Sequence, residues 1–140
     1  MIEVTKSEEE TRLIAANFAS SITPPAIIAL EGELGAGKTC FVRGLCDGLG
    51  GDPRQVNSPT FVIMQEYEIS LDLRLVHIDA YRLSSEDDLH EIGWEELLED
   101  SRAIIAIEWP SRINSAIPKS ALYITIEHND PTTREINILQ

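Results

Sequence analysis

"AIIALEGELGAGKTCFVRGL", residues 26–45, joins an unbroken apolar run to a glycine-rich turn and then to a segment of helical periodicity. Residues 26–30 read as a short strand buried on both faces, the kind that parallel sheets use. "GELGAGKT", residues 32–39, fits the pattern G-x-x-x-x-G-K-[ST] with Gly32, Gly37, Lys38 and Thr39 in register. The helix expected over 38–49 carries Phe41, Val42, Leu45 and Leu49 on its buried side. Strand, loop and helix in this order predict a phosphate-binding loop inside an α/β sheet.

The chemistry accounts for each residue type. Glycines let consecutive backbone N–H groups converge into a nest around an anion. The start of the helix adds about half a positive charge at the same place. Lys38 offers a point charge to the β- and γ-phosphates, and the Thr39 hydroxyl can ligate Mg²⁺. Gly44 and Gly48 each cost about 1 kcal/mol relative to alanine. Four residues apart, they leave a smooth strip for the close approach of another element, and Gly50 and Gly51 end the helix.

The rest of the chain bounds this reading. Its 140 residues have the size of one domain, with 43% hydrophobic and 25% charged residues. No apolar run approaches the roughly 20 residues that span a bilayer. "MIEVTKSEEE" lacks the order of a signal peptide, so the cytoplasm is the expected compartment and no membrane contact is expected. Cys40 and Cys46 lie roughly 9 Å apart along the expected helix, too far for a disulfide. Without further ligands they predict reduced thiols and no structural zinc.

The 11 basic and 24 acidic residues give a net charge of −13, which argues against a nucleic-acid clamp. Distant carboxylates are screened beyond roughly 8–10 Å, so the same charge does not forbid a local phosphate site. The acidic clusters at 8–10 and 86–88 read as solvated helix starts, or as surfaces for a basic partner.

Along the chain, Ser7 and Glu10 have capping-box spacing, and Leu13, Ile14 and Phe18 predict one apolar face on a helix over 8–20. Residues 55–69 begin in a turn at Asn57–Pro59 and continue extended. "LRLVHID", 73–79, is a second strand, joined to them as an antiparallel hairpin. Ser84 or Ser85 caps one helix containing Leu89, Ile92 and Leu97, and "AIIAIEWP", 103–110, is a buried strand stopped by Pro110. The chain closes as a hairpin turning at residues 129–133.

A nucleotide site needs strand-end carboxylates to hold metal or order water. Asp79 ends a Walker-B-like run and Glu108 ends "AIIAIE", so both are candidates. Thr60 in "NSPTF" has two readings, a plain turn or a switch segment whose hydroxyl reaches the γ-phosphate or the attacking water. His77 reads as a packed or surface histidine rather than a catalytic one, and Trp94 and Trp109 as core or rim. None of the three lysines follows an asparagine, and "AYR" follows Asp79, which argues against a GTPase. No arginine-rich lid favours a small-molecule kinase, so a hydrolase or ATP-gated subunit fits better.

"GELGAGKTCFVRGL" (32–45), "SPTF" (58–61), "HIDAYRL" (77–83), "EIGWEELL" (91–98) and "IEWP" (107–110), in this order and at these intervals, resemble the bacterial TsaE (YjeE) ATPases. That family serves the pathway that makes threonylcarbamoyladenosine in tRNA. The resemblance implies a P-loop NTPase fold with a mixed central sheet, antiparallel additions and flanking helices, filling residues 1–140 as one domain. It implies ATP and Mg²⁺ as ligands and TsaB and TsaD as partners. The partners carry the tRNA chemistry, so this subunit need not grip RNA, and its ATP hydrolysis is expected to be slow alone.

By the same resemblance, Gly35, Ala36, Gly37, Lys38, Thr39 and Cys40 form the phosphate loop. Glu108 and Thr39 are implied at the metal, and Asp79 and Thr60 at the reacting end. Thr11 and Arg134 stand where family members contact the nucleotide. Cys40 departs from the family, where a second threonine is common: its N–H can still serve phosphate, but a hydroxyl is lost. The competing readings are an independent ATP-dependent kinase and a non-catalytic, ATP-sensing adaptor.

Overall fold

The computed structural model describes residues 1–33, 35–57 and 63–139. Its strands are β1 (Ile2–Thr5), β2 (Ala26–Glu31), β3 (Met64–Ser70), β4 (Leu73–Asp79), β5 (Ala103–Glu108), β6 (Leu122–His128) and β7 (Arg134–Leu139). Its helices are α1 (Glu8–Ala19), α2 (Lys38–Gly48), α3 (Asp87–Glu91) and α4 (Trp94–Glu99). The strands form one mixed sheet in the order β1-β7-β6-β2-β5-β4-β3. The central strands β6, β2, β5 and β4 run parallel. Antiparallel β3 borders one side, and β7 with β1 the other. This is the α/β sheet with antiparallel additions that the sequence predicts.

The central position of β2 and β5 explains their composition. A strand with helices on both faces must be apolar at every position, and β5 is buried along its whole length. Ile104 and Ala106 join the core under α1 and α2, while Ile105 and Ile107 join the core under α3 and α4. Among the described residues, no helix is long and apolar enough to cross a membrane.

α1 starts as expected: Ser7 Oγ accepts from the Glu10 N–H at 3.1 Å. The Glu10 carboxylate accepts its return bond from the Lys6 N–H rather than from that of the cap residue. The expected apolar face needs correction, because Leu13 is 61% exposed. Five positions separate it from Phe18, about 140° around the helix, and the buried set is Thr11, Ala15, Phe18 and Ala19.

The glycine strip of α2 is filled from within. A Cβ on Gly44 would strike the Arg12 carbonyl and the Ala15 methyl, and one on Gly48 would strike Ala16. α1 therefore covers the strip, and it is not a surface left for a partner. α2 ends with Gly50 at φ 98°, whose N–H bonds to Asp47 O, while the Gly51 N–H bonds to Cys46 O. Those two bonds satisfy the last carbonyls.

Two further expectations change. The single helix predicted after Ser84 is two short helices, α3 and α4, separated at Gly93 with φ 82°. Neither serine side chain caps α3; Ser84 instead gives its N–H and hydroxyl to the Asp88 carboxylate. β1 was not foreseen at all. It is an edge strand whose Ile2 and Val4 are 60% and 58% exposed.

Candidate functional site

The carboxyl ends of β2, β5 and β4 lie side by side beneath the start of α2. Glu31 closes β2, and the loop that follows turns through Gly35 at φ 79° and Gly37 at φ 107°. Such angles favour glycine. Gly37 caps α2 without a side chain, and no acidic residue stands in the first turn to neutralise its partial charge. Ala36 packs its methyl in the core and donates its N–H to Glu33 O at 3.0 Å.

Lys38 turns inward from this loop. It is 5% exposed, donates to Gly32 O, and places its ammonium 3.7 Å from the centre of the Trp109 ring. Burial pulls the ammonium below the usual lysine range, against the opposing pull of Glu108, Glu31 and Asp79. Trp109 holds its position with a left-handed backbone, φ 60° and ψ 52°. A tryptophan there is strained, and a bond from its N–H to Leu30 O at 3.2 Å ties the exit of β5 to β2.

Asp79 and Glu108 are direct partners in the β4–β5 register, so the two strand ends the sequence singles out are adjacent. Glu108 is buried, and its Oε2 accepts from the Thr39 hydroxyl at 3.5 Å and meets His77 Nε2 at 2.5 Å. Asp79 is half-buried and accepts the Tyr81 N–H at 2.9 Å. Burial pushes its carboxyl above the usual aspartate range; the Tyr81 N–H opposes this and the Glu108 charge adds to it. Thr60 lies outside the described residues.

Across the loop, the other implied residues also converge. A cavity of about 400 Å³ opens on the β6 side, with Glu31, Glu33, Trp109, Glu127 and His128 in its wall. On the opposite flank a 330 Å³ cavity is lined by Thr11, Gly35, Gly37, Cys40 and Arg134. Thr11 is buried with its hydroxyl 2.7 Å from that of Thr5. Arg134 donates to Gly35 O at 3.2 Å and to Asp130 O at 3.0 Å, which ties the final hairpin to the loop. The Cys40 thiol points to Glu8 O at 3.4 Å, and burial raises its pKa. Cys46 is pushed up to about 11 by burial and then by Asp52 and Asp47.

Sequence reasoning missed two contacts. His77 is indeed packed, but against Glu108; its place two residues before Asp79, on the same strand face, is the signal that could have found the pair. The stacking of Lys38 on Trp109 had no local signal. Among the described residues, no group of three or more His, Cys, Asp or Glu could hold a metal alone. A hydroxyl and a carboxylate meeting at the loop suit Mg²⁺ instead, which takes few protein oxygens and completes its shell with phosphate and water.

A strand entering a glycine loop, a helix N-terminus behind it and carboxylates on the neighbouring strand ends define a P-loop nucleotide-binding fold. The family model of "Threonylcarbamoyl adenosine biosynthesis protein TsaE" matches residues 5–136, and the chain belongs to that family. It is 39% identical to the tRNA threonylcarbamoyladenosine biosynthesis protein TsaE of Bacillus subtilis over 94% of this chain and 80% of that protein. It is 33% identical to the Treponema pallidum protein of the same name over 96% of this chain and 97% of that one. The crystal structure of Bacillus subtilis YdiB superposes with a TM-score of 0.78 at 32% identity, covering 99% of this chain and 83% of that chain.

Proposed function

We propose that this chain, acting as one P-loop domain, is the ATP-binding and ATP-hydrolysing subunit of threonylcarbamoyladenosine synthesis on tRNA, working with TsaB and TsaD in the cytoplasm. The observation that carries this reading is the convergence of Lys38, Thr39 and Glu108 at the N-terminus of α2. In ATP binding, the loop N–H groups and the helix end receive the phosphates. Lys38 exchanges Gly32 O and the Trp109 ring for phosphate oxygens, which satisfy a buried ammonium better than a carbonyl and a ring face do.

Thr39 and Glu108 would hold Mg²⁺, whose chemistry here is to neutralise charge on the β- and γ-phosphate oxygens. Asp79, one strand further out, orients the attacking water. Thr60, outside the described residues, is the candidate switch hydroxyl for the γ-phosphate or the attacking water. Thr11 and Arg134 receive the remainder of the nucleotide in the cavity between them.

The sequence carries no arginine-rich lid for an acceptor substrate, so the use of ATP lies in the complex, and turnover by this chain alone is expected to be slow. The net charge of −13 suits a subunit that leaves tRNA to its partners. ATP then strengthens association with TsaB–TsaD, and association strengthens ATP binding by the same factor. A titration of TsaB–TsaD with this protein in ATP, in ADP and without nucleotide tests the reading. Tighter association in ATP is expected, and equal affinity in all three would overturn it.

A further inference from the structure

We propose that His77 is a positioning residue whose imidazole holds the Glu108 carboxylate in the orientation that serves Mg²⁺; the inference rests on the reading of Glu108 given above. His77 lies in the middle of β4, fully buried, between Val76 and Ile78. In β5 its register partner is Ala106, whose small side chain leaves room beside the ring. The imidazole reaches along the sheet to Glu108, and Nε2 stands 2.5 Å from Oε2. An ionised carboxylate only accepts hydrogen bonds, so the tautomer that makes this bond to it is the one with the proton on Nε2.

The other ring nitrogen decides between packing and positioning. Nδ1 is buried and, among the described residues, has no hydrogen-bond partner. A residue present only to fill β4 would be apolar, like its neighbours, and would avoid an unmet nitrogen that lowers stability. Among the described residues the ring makes one bond, to the carboxylate oxygen that Thr39 also reaches at 3.5 Å. A glutamate side chain has three rotatable bonds, and without the imidazole its carboxylate is free to leave the place where Thr39 and the phosphates need it. Partners of this kind behind a metal ligand typically change metal affinity about 10–100-fold when removed.

The test compares His77→Leu, His77→Gln, His77→Asn and Glu108→Gln with the native protein. Each is titrated with a fluorescent ADP analogue across a Mg²⁺ series and in EDTA, with circular dichroism as a check on folding. Glutamine can carry an N–H donor to about the position of Nε2, whereas asparagine is too short and leucine has no donor. His77→Leu should raise the Mg²⁺ required for half-maximal binding about 10–100-fold and leave the affinity in EDTA unchanged. His77→Gln should restore most of the Mg²⁺ response, and His77→Asn should not. If leucine prevents folding, the Gln–Asn contrast decides.

A folded His77→Leu or His77→Asn with native Mg²⁺ dependence overturns the proposal, as does an equal loss with and without Mg²⁺. Glu108→Gln separates the two levels. If it leaves the Mg²⁺ response untouched, the reading of Glu108 itself fails. If it shifts that response while His77→Asn does not, only the role of His77 fails.

Discussion

Two cavities flank the phosphate loop, similar in size and opposite in character. The one beside β6 measures about 400 Å³ and has Glu31, Glu33 and Glu127 in its wall. The other measures about 330 Å³ and lies between Thr11 and Arg134. Volume favours the first and electrostatics the second, since a polyphosphate gains from an arginine and loses beside three carboxylates. On the Arg134 side the guanidinium donates to Gly35 O and so is tied to the loop. On the proposed function the nucleotide site is set by where charge and N–H donors point, which selects the smaller hollow.

The largest effect should come from the buried lysine of the loop that runs between the two cavities. Lys38→Ala should lower ATP affinity by more than about a hundredfold with an unchanged circular dichroism spectrum. Native affinity and turnover in that variant would remove the phosphate loop from the account.

Next come the strand-end carboxylates, which sharpen the difference between holding and reacting. Asp79→Asn should cut turnover about a hundredfold or more while changing ATP affinity little. Glu108→Gln should weaken hydrolysis and its dependence on Mg²⁺ together.

Asp79→Asn also has a stability signature. Its carboxyl is raised in the folded chain, so this group's stabilising contribution is full below the unfolded pKa and lost as pH rises through the folded one. An asparagine can still accept the Tyr81 N–H, so the variant should melt no lower than the native protein at neutral pH. That margin should shrink in thermal melts as the pH is lowered from about 7 to 4.

The smallest effects discriminate between the cavities directly. Arg134→Ala should weaken nucleotide binding about tenfold with little change in saturated turnover. Glu33→Gln and Glu127→Gln should leave ATP affinity within about twofold. If the glutamate variants matter and the arginine variant does not, the assignment of the two cavities is reversed.

The readable part of the molecule follows from local rules. The apolar runs of β2 and β5 announce central parallel strands, and the positions of Lys38, Asp79 and Glu108 follow because strand ends and loop spacing are sequence-local. What was not legible depends on neighbours distant in sequence. β1 is four residues long and gains its place only by pairing with β7. The glycine strip looked open until α1 filled it. Leu13 matched an apolar pattern, yet Thr11 and Ala15 are the buried positions, because Gly44 and Gly48 let α2 come close to that side of α1. The His77–Glu108 pair is half legible: His77 shares a strand face with Asp79, but only the β4–β5 register brings Glu108 beside it.

The most direct test is a crystal structure with a non-hydrolysable ATP analogue and Mn²⁺ in place of Mg²⁺, the metal located by anomalous scattering. The account predicts Mn²⁺ in contact with the Thr39 hydroxyl and the Glu108 carboxylate, Lys38 turned from Trp109 onto phosphate, and the base between Thr11 and Arg134. A metal more than about 8 Å from both Asp79 and Glu108, beyond even water-mediated reach, or a base seated among Glu31, Glu127 and His128, would contradict it.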